Sequence, residues 1–219
     1  MMNSPSPQNS PAPQFPFFTA QPVKDLLTAI ASSANKSLLI ALCGGSCSGK
    51  TSLANYLASQ NTGRVLPMDA YYKPVPQIRE FAHGIPAFDA PDAFEMPRLI
   101  NDLIALRNGQ SIEVPIYLYQ KIEDGRDTSH TELFVPTRVT FLDGILSFCE
   151  ELRPYLDFAL FIERANKARR KSRIERDQKE RGVAAEQSAV LFDTMQTALF
   201  TQCILPQKQK ADYVVVNTP

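Results

Sequence analysis

Apolar and polar positions alternate along this chain in blocks that predict strands and helices in turn. The run Leu38-Leu39-Ile40-Ala41-Leu42-Cys43 is continuously apolar, as expected of a strand buried on both faces. "KTSLANYLASQ" follows with helical spacing, and "RVLPMDAYY" reads as a second strand whose carboxyl end carries Asp69. In "MPRLINDLIALRNG", Leu99, Leu103 and Leu106 recur at helical spacing before Gly109, a natural helix stop. "SIEVPIYLY" reads as an edge strand or hairpin because Pro115 cannot donate to a ladder. "TRVTFLDG" is a buried strand closing in Asp143, "ILSFCEELRPYL" a helix and "DFALFIE" a strand. A charged helix "NKARRKSRIERDQKERG", a long amphipathic helix "AAEQSAVLFDTMQTALFTQCIL" and a final strand "ADYVVV" complete the series. Such alternation predicts an α/β domain, a parallel sheet covered by helices on both faces with a small edge hairpin. Ligands of such sheets bind beyond the carboxyl ends of the strands, where Gly44, Asp69 and Asp143 all fall.

Between the first strand and the first helix of that sheet stands "GGSCSGKT", which matches G-x-x-x-x-G-K-[ST]. Glycines let the backbone turn its N–H groups inward on a phosphate. The binding set is Gly44, Gly45, Ser46, Cys47, Ser48, Gly49, Lys50, Thr51 and Ser52, at a helix N-terminus that itself favours an anion. Lys50 is expected to reach the β and γ phosphates and Thr51 to ligate Mg²⁺. Asp143, at the end of its apolar strand, is the matching carboxylate for the hard cation. Within the charge run, Arg169, Arg173 and Arg176 stand at i, i+4 and i+7 on one helix face. A solvated face is the ordinary reading of mixed charges, but such a row of arginines could clamp a triphosphate.

Composition narrows the picture. The 219 residues are 44% hydrophobic and carry 23 basic and 23 acidic side chains, so no global field favours nucleic acid or an anionic membrane. No apolar run approaches the roughly 20 residues that span a bilayer. Residues 1–22, rich in Pro, Ser, Asn and Gln, read as a disordered tail before a domain at 23–219. Cys43, Cys47, Cys149 and Cys203 form no C-x-x-C motif, and a reduced cytoplasm suits them. Cys47 sits in the phosphate loop, either as a reactive thiol or as a plain small side chain.

The ordered set "GGSCSGKT", "MDAYYK", "FDAPDAFEMPRL", "FLDGILSF", "RRKSRIERDQKERG" and "ILPQKQKADYVVV" resembles the uridine kinase family of phosphate-loop kinases, within the phosphoribulokinase/uridine kinase superfamily. The resemblance spans about Leu38 to Val216. It implies the P-loop NTPase kinase fold and transfer of the γ-phosphoryl of ATP or GTP, with Mg²⁺, to a nucleoside 5′-hydroxyl. It also implies that Asp69 is the base, that Asp89 binds the ribose hydroxyls, and that Arg169, Arg173, Arg176 and Arg181, on an arginine-rich lid at about 166–186, stabilise the moving phosphoryl. Tyr72, Tyr117, Arg176 and Gln187 join Asp69 and Asp89 in facing the acceptor. Two departures stand out. The family's base-reading pattern after P-x-Y is lost, with Leu118, Ile122 and Asp124 at its Asp, His and Arg positions. A register shifted by two keeps Tyr119 and Arg126 but still sets Asp124 where the His belongs. Asp143 replaces a common glutamate. The acceptor is therefore a nucleoside such as uridine or cytidine, or another hydroxyl metabolite of the nicotinamide riboside or pantothenate type. A non-catalytic nucleotide-binding module whose Pro-rich tail recruits partners is the remaining alternative, and Asp69 argues against it. Neither nucleic acid nor membrane is expected as a partner, and self-association into a homo-oligomer stays open.

Overall fold

A computed structural model describes residues 15–33, 37–82, 85–116 and 130–218. Helix α1 (Gln21–Ser32) leads into β1 (Leu38–Cys43), the loop Gly44–Gly49 and α2 (Lys50–Asn61). Next come β2 (Arg64–Pro67), a short pair β3 (Glu80–Ala82) and β4 (Ile85–Pro86), and α3 (Met96–Arg107). After them lie β5 (Ile112–Pro115), β6 (Thr131–Phe134), β7 (Val139–Asp143), β8 (Phe158–Glu163), α4 (Asn166–Arg181), α5 (Ala185–Leu191) and β9 (Tyr213–Val216). Five strands form one parallel sheet in the order β2-β7-β1-β8-β9.

The apolar blocks account for this sheet. All six residues of β1 and all five of β7 are buried. Leu38, Ile40 and Leu42 join the core beneath α1 and α2, with Leu26, Ile30, Leu53 and Leu57. Leu39, Ala41 and Cys43 join the opposite core, with Leu99 and Leu103 of α3. The period of two thus serves two apolar faces, so β1 has no polar alternation to show. β5 and β6 pair as an antiparallel hairpin at the margin, with Pro115 opposite Thr131 at its end.

Four expectations need correction. First, β2 stops at Pro67, and Asp69 lies in a 3₁₀ turn, Met68–Tyr71, just beyond the sheet. Second, the segment 145–156 is not a helix but a chain of turns ending in a 3₁₀ turn at Arg153–Tyr155. Side chains there replace the helical bonds. Gln207 accepts from the Phe148 N–H at 3.2 Å and donates to Ile145 O at 3.0 Å, and Ser147 Oγ donates to Leu42 O at 2.8 Å. Third, the long amphipathic helix is interrupted after α5 by wide π turns at Phe192–Gln196 and Phe200–Ile204, then tightens to 3₁₀ at Leu205–Lys210. Fourth, residues 15–22 of the region read as a tail belong to the folded domain. Pro16–Thr19 is a 3₁₀ turn, and Phe17 and Phe18 are buried in the core beneath α1 and α2.

Candidate active site

The loop after β1 is held open by glycine where no side chain fits. Gly44 (φ 147°) lies against the carbonyl of Ile162 on β8, and Gly49 (φ 101°) is the left-handed residue that starts α2. Cys47 also takes a left-handed φ of 59°. Its carbonyl accepts from Arg164 Nη1 at 2.8 Å, and that guanidinium also donates to Ser172 Oγ of α4 at 3.1 Å. Lys50 is buried and folds back, Nζ donating to Gly45 O at 3.1 Å. Ser48 Oγ is buried without a hydrogen-bond partner. Thr51 and Ser52 are exposed on the first turn of α2.

Parallel pairing of β1 with β7 sets Leu42 beside Asp143, so the strand-end carboxylate reaches the loop. Thr51 Oγ1 donates to Asp143 Oδ2 at 2.6 Å, while Asp143 Oδ1 is buried without a hydrogen-bond partner. Burial raises the Asp143 pKa above the ordinary carboxylate value, while Lys50 and the Thr51 hydroxyl pull it back. A hydroxyl and a carboxylate with one orphaned oxygen make an all-oxygen donor set, which fits a hard divalent cation such as Mg²⁺. Among the described residues no group of three or more His, Cys, Asp or Glu could hold a metal ion.

Asp69 lies within electrostatic reach of Asp143 and Lys50. It remains accessible to solvent on one side, yet its carboxylate is pushed up to about 6. The surrounding protein wall desolvates it and the Asp143 charge raises it further, against the opposing pull of Lys50, Arg181 and Arg176. Such a carboxylate is ionised at neutral pH and close enough to its pKa to exchange a proton. Beside it, Tyr72 is buried, stacked on Phe94 at 4.2 Å between centroids and edge-on to Phe88 at 5.6 Å. Asp89 follows Phe88 and is buried.

The arginine row of α4 runs along the loop. Arg173 Nη1 donates to Ser46 Oγ at 3.0 Å. Arg176 and Arg181 lie within electrostatic reach of Asp69. Arg169, expected among the groups that stabilise the moving phosphoryl, is enclosed by its neighbours. It is 2% exposed, pressed against Gly45, 4.2 Å above the Phe200 ring and bonded to Asn166 Oδ1 at 3.0 Å. The π turns explain this, because they bring Phe192 and Phe200 beneath the guanidinium. Gln187 is exposed on α5. Tyr117, and residues 118–126 that carry the departures in base reading, lie outside the described residues.

Three contributors escaped the sequence reading. Asp177, 1% exposed, accepts from Arg173 Nε at 2.6 Å, Arg181 Nη1 at 3.1 Å and Ser188 Oγ at 2.8 Å. Its place inside "RRKSRIERDQKERG" was the available signal. Arg164, directly after β8, could have been suspected from that strand-end position. Asn217 follows β9 and donates Nδ2 to Ser48 O at 2.8 Å, which no local pattern announces.

Residues 39–219 match the model of the Phosphoribulokinase / Uridine kinase family. The chain belongs to that family. It is 32% identical over 185 residues to the uridine kinase of Lactobacillus johnsonii, an overlap of 82% of this chain and 86% of the relative. Its fold is similar to that of a possible uridine kinase from Bacillus stearothermophilus, with a TM-score of 0.61 at 16% identity over 88% of this chain and 96% of the other. It is likewise similar to that of phosphoribulokinase from Rhodobacter spheroides, with a TM-score of 0.58 at 14% identity over 83% and 71%. This member of the family has the parallel sheet and phosphate loop of a P-loop kinase. Among the described residues no helix is long and apolar enough to cross a membrane.

Proposed function

We propose that this kinase transfers the γ-phosphoryl group of ATP or GTP to the 5′-hydroxyl of a nucleoside, in the manner of a uridine kinase. The observation that carries the reading is Asp69, a solvent-accessible carboxylate lifted to about 6 at the mouth of the phosphate loop. Binding alone has no use for such a group. Proton removal from an attacking hydroxyl does.

Backbone N–H groups of Gly44–Thr51 and the start of α2 receive the phosphates, and Lys50 leaves Gly45 O to meet them. Thr51 and Asp143 would hold Mg²⁺, which supplies charge neutralisation on the phosphates when bound. Arg173, Arg176 and Arg181 add positive charge where the phosphoryl moves, and Arg169 supports the loop at Gly45. Asp69 takes the hydroxyl proton. Tyr72, Asp89 and Gln187 serve the acceptor, Asp89 at the sugar hydroxyls. The sequence similarity to uridine kinases supports the nucleoside.

A second reading, phosphorylation of another small hydroxyl-bearing metabolite, rests on the lost base-reading pattern at Leu118, Ile122 and Asp124. One panel decides between them. ADP release from ATP and Mg²⁺ is measured against nucleosides, riboside vitamins and pantothenate, and uridine or cytidine should give the highest kcat/KM. Highest turnover with another acceptor selects the second reading, and no acceptor-dependent release refutes both.

A further inference from the structure

The residue that starts α2 is gripped from both ends of the chain. A Cβ on Gly49 would lie 2.9 Å from Cζ of Phe17 and 2.8 Å from Nδ2 of Asn217, so these two side chains close over the glycine. Asn217 also holds the neighbouring Ser48 carbonyl at 2.8 Å, and its own N–H donates to Glu163 O at 2.8 Å. Phe17 is 5% exposed and is set by its neighbours. It lies edge-on to Phe18 at 4.8 Å, and Phe18 stacks at 4.8 Å on Tyr56 of α2. Helix α1, directly after this turn, rests against β9, which ends just before Asn217.

A glycine-rich loop has few side chains with which to hold its own shape, and ordering it on a ligand costs conformational entropy. Fixing the loop beforehand removes that cost from binding. The family match begins at residue 39, so Phe17 stands outside the part of the chain shared with the family model. We propose that Phe17 is a positioning residue of the donor site, through which the N-terminal segment sets the affinity of the phosphate loop for Mg·ATP. Phe17 reaches the site through Gly49, which precedes Lys50, and has no place among the phosphate-binding groups themselves. The inference rests on the reading of Gly44–Thr51 as a nucleotide site.

The test compares full-length Phe17→Ala, Phe17→Leu and Leu26→Ala. Leu26 is buried on α1 in the same core, so its truncation is a control for lost packing alone. Direct titration with Mg·ATP and amide hydrogen exchange over residues 44–51 without nucleotide are both recorded. Phe17→Ala should weaken Mg·ATP by roughly 2- to 30-fold, the span usual for residues that act on a site without touching its ligand. It should also speed exchange in the loop, with Leu26→Ala leaving both near wild type at a similar loss of Tm. Phe17→Leu, which keeps apolar bulk over Gly49, should recover most of the affinity. Equal changes in Phe17→Ala and Leu26→Ala overturn the proposal. If wild type binds no Mg·ATP, the nucleotide reading fails separately, and loop exchange still decides whether Phe17 braces Gly49.

Discussion

Lys50 is buried and Asp69 keeps access to solvent, and the two proposed roles make separate predictions at this scale. Lys50 is buried on a backbone carbonyl that water could also satisfy, so its removal should cost little fold stability while it deletes the charge proposed to meet the phosphates. Lys50→Ala should therefore abolish turnover with an unfolding midpoint within a few degrees of wild type, and near-wild-type kcat at saturating ATP would take Lys50 out of the mechanism. If Asp69 is the base, as proposed, its active form is the ionised one. Burial and the Asp143 charge favour the neutral acid, so kcat/KM should rise about tenfold per pH unit below 6 and level off above it. Asp69→Asn should lower kcat by roughly 10² to 10⁴, leave ATP affinity nearly unchanged and erase that acid limb. A limb that persists in Asp69→Asn belongs to another group.

At the level of elements, α4 acts as a carrier of charge tied down by Asp177. Burial works to raise that carboxyl, but Arg173, the Ser188 hydroxyl and Arg181 outweigh it and hold the pKa below the ordinary range. Its stabilising effect is accordingly complete above the unfolded value of about 4 and is lost as acid protonates it. Asp177→Asn should cost about 1–3 kcal/mol, less than a wholly buried pair because Arg173, Arg176 and Arg181 keep some solvent. Urea unfolding measures this, and no change in midpoint would mean that the arginines find other partners. Sequence periodicity made the five sheet strands, α3, α4 and the phosphate loop legible, because each rests on local pattern or on a motif with its own geometry. It missed the turns at 145–156 because their apolar residues, Ile145, Leu146, Phe148, Cys149 and Leu152, also satisfy helical spacing. What overrides the helix there is Gln207, some sixty residues away in sequence. The π turns and the burial of Arg169 were hidden for the same reason: they are settled by contacts between α4 and the later segment around Phe192 and Phe200. The burial of Phe17 and Phe18 was masked by the surrounding proline and polar residues, whose composition reads as a tail.

The site is assembled by the whole molecule, and this has a thermodynamic consequence. The loop follows the central strand β1, Asp143 ends β7 on one side of it, the arginines follow β8 on the other, and Asn217 extends β9 at the sheet margin. Unfolding any of these strands dismantles the site, so nucleotide should bind the native chain and not the unfolded one. Mass action then stabilises the fold by about 2.7 kcal/mol when free ligand is 100 times its Kd. For a chain of this length each kcal/mol shifts Tm by about 2–4 °C, so saturating Mg·ATP should raise it by roughly 5–11 °C. Part of that gain should depend on the cation if Asp143 helps to hold it, as proposed, since Asp143 Oδ1 is buried without a hydrogen-bond partner beside the Thr51 hydroxyl. Asp143→Asn removes the charge at nearly constant shape, and should leave the ligand-free fold intact while bringing the shift with Mg·ATP down to that with ATP and chelator. Calorimetric scans of both proteins with ATP, with and without Mg²⁺, make the comparison. An undiminished Mg²⁺-dependent shift in Asp143→Asn would exclude Asp143 as the cation's carboxylate.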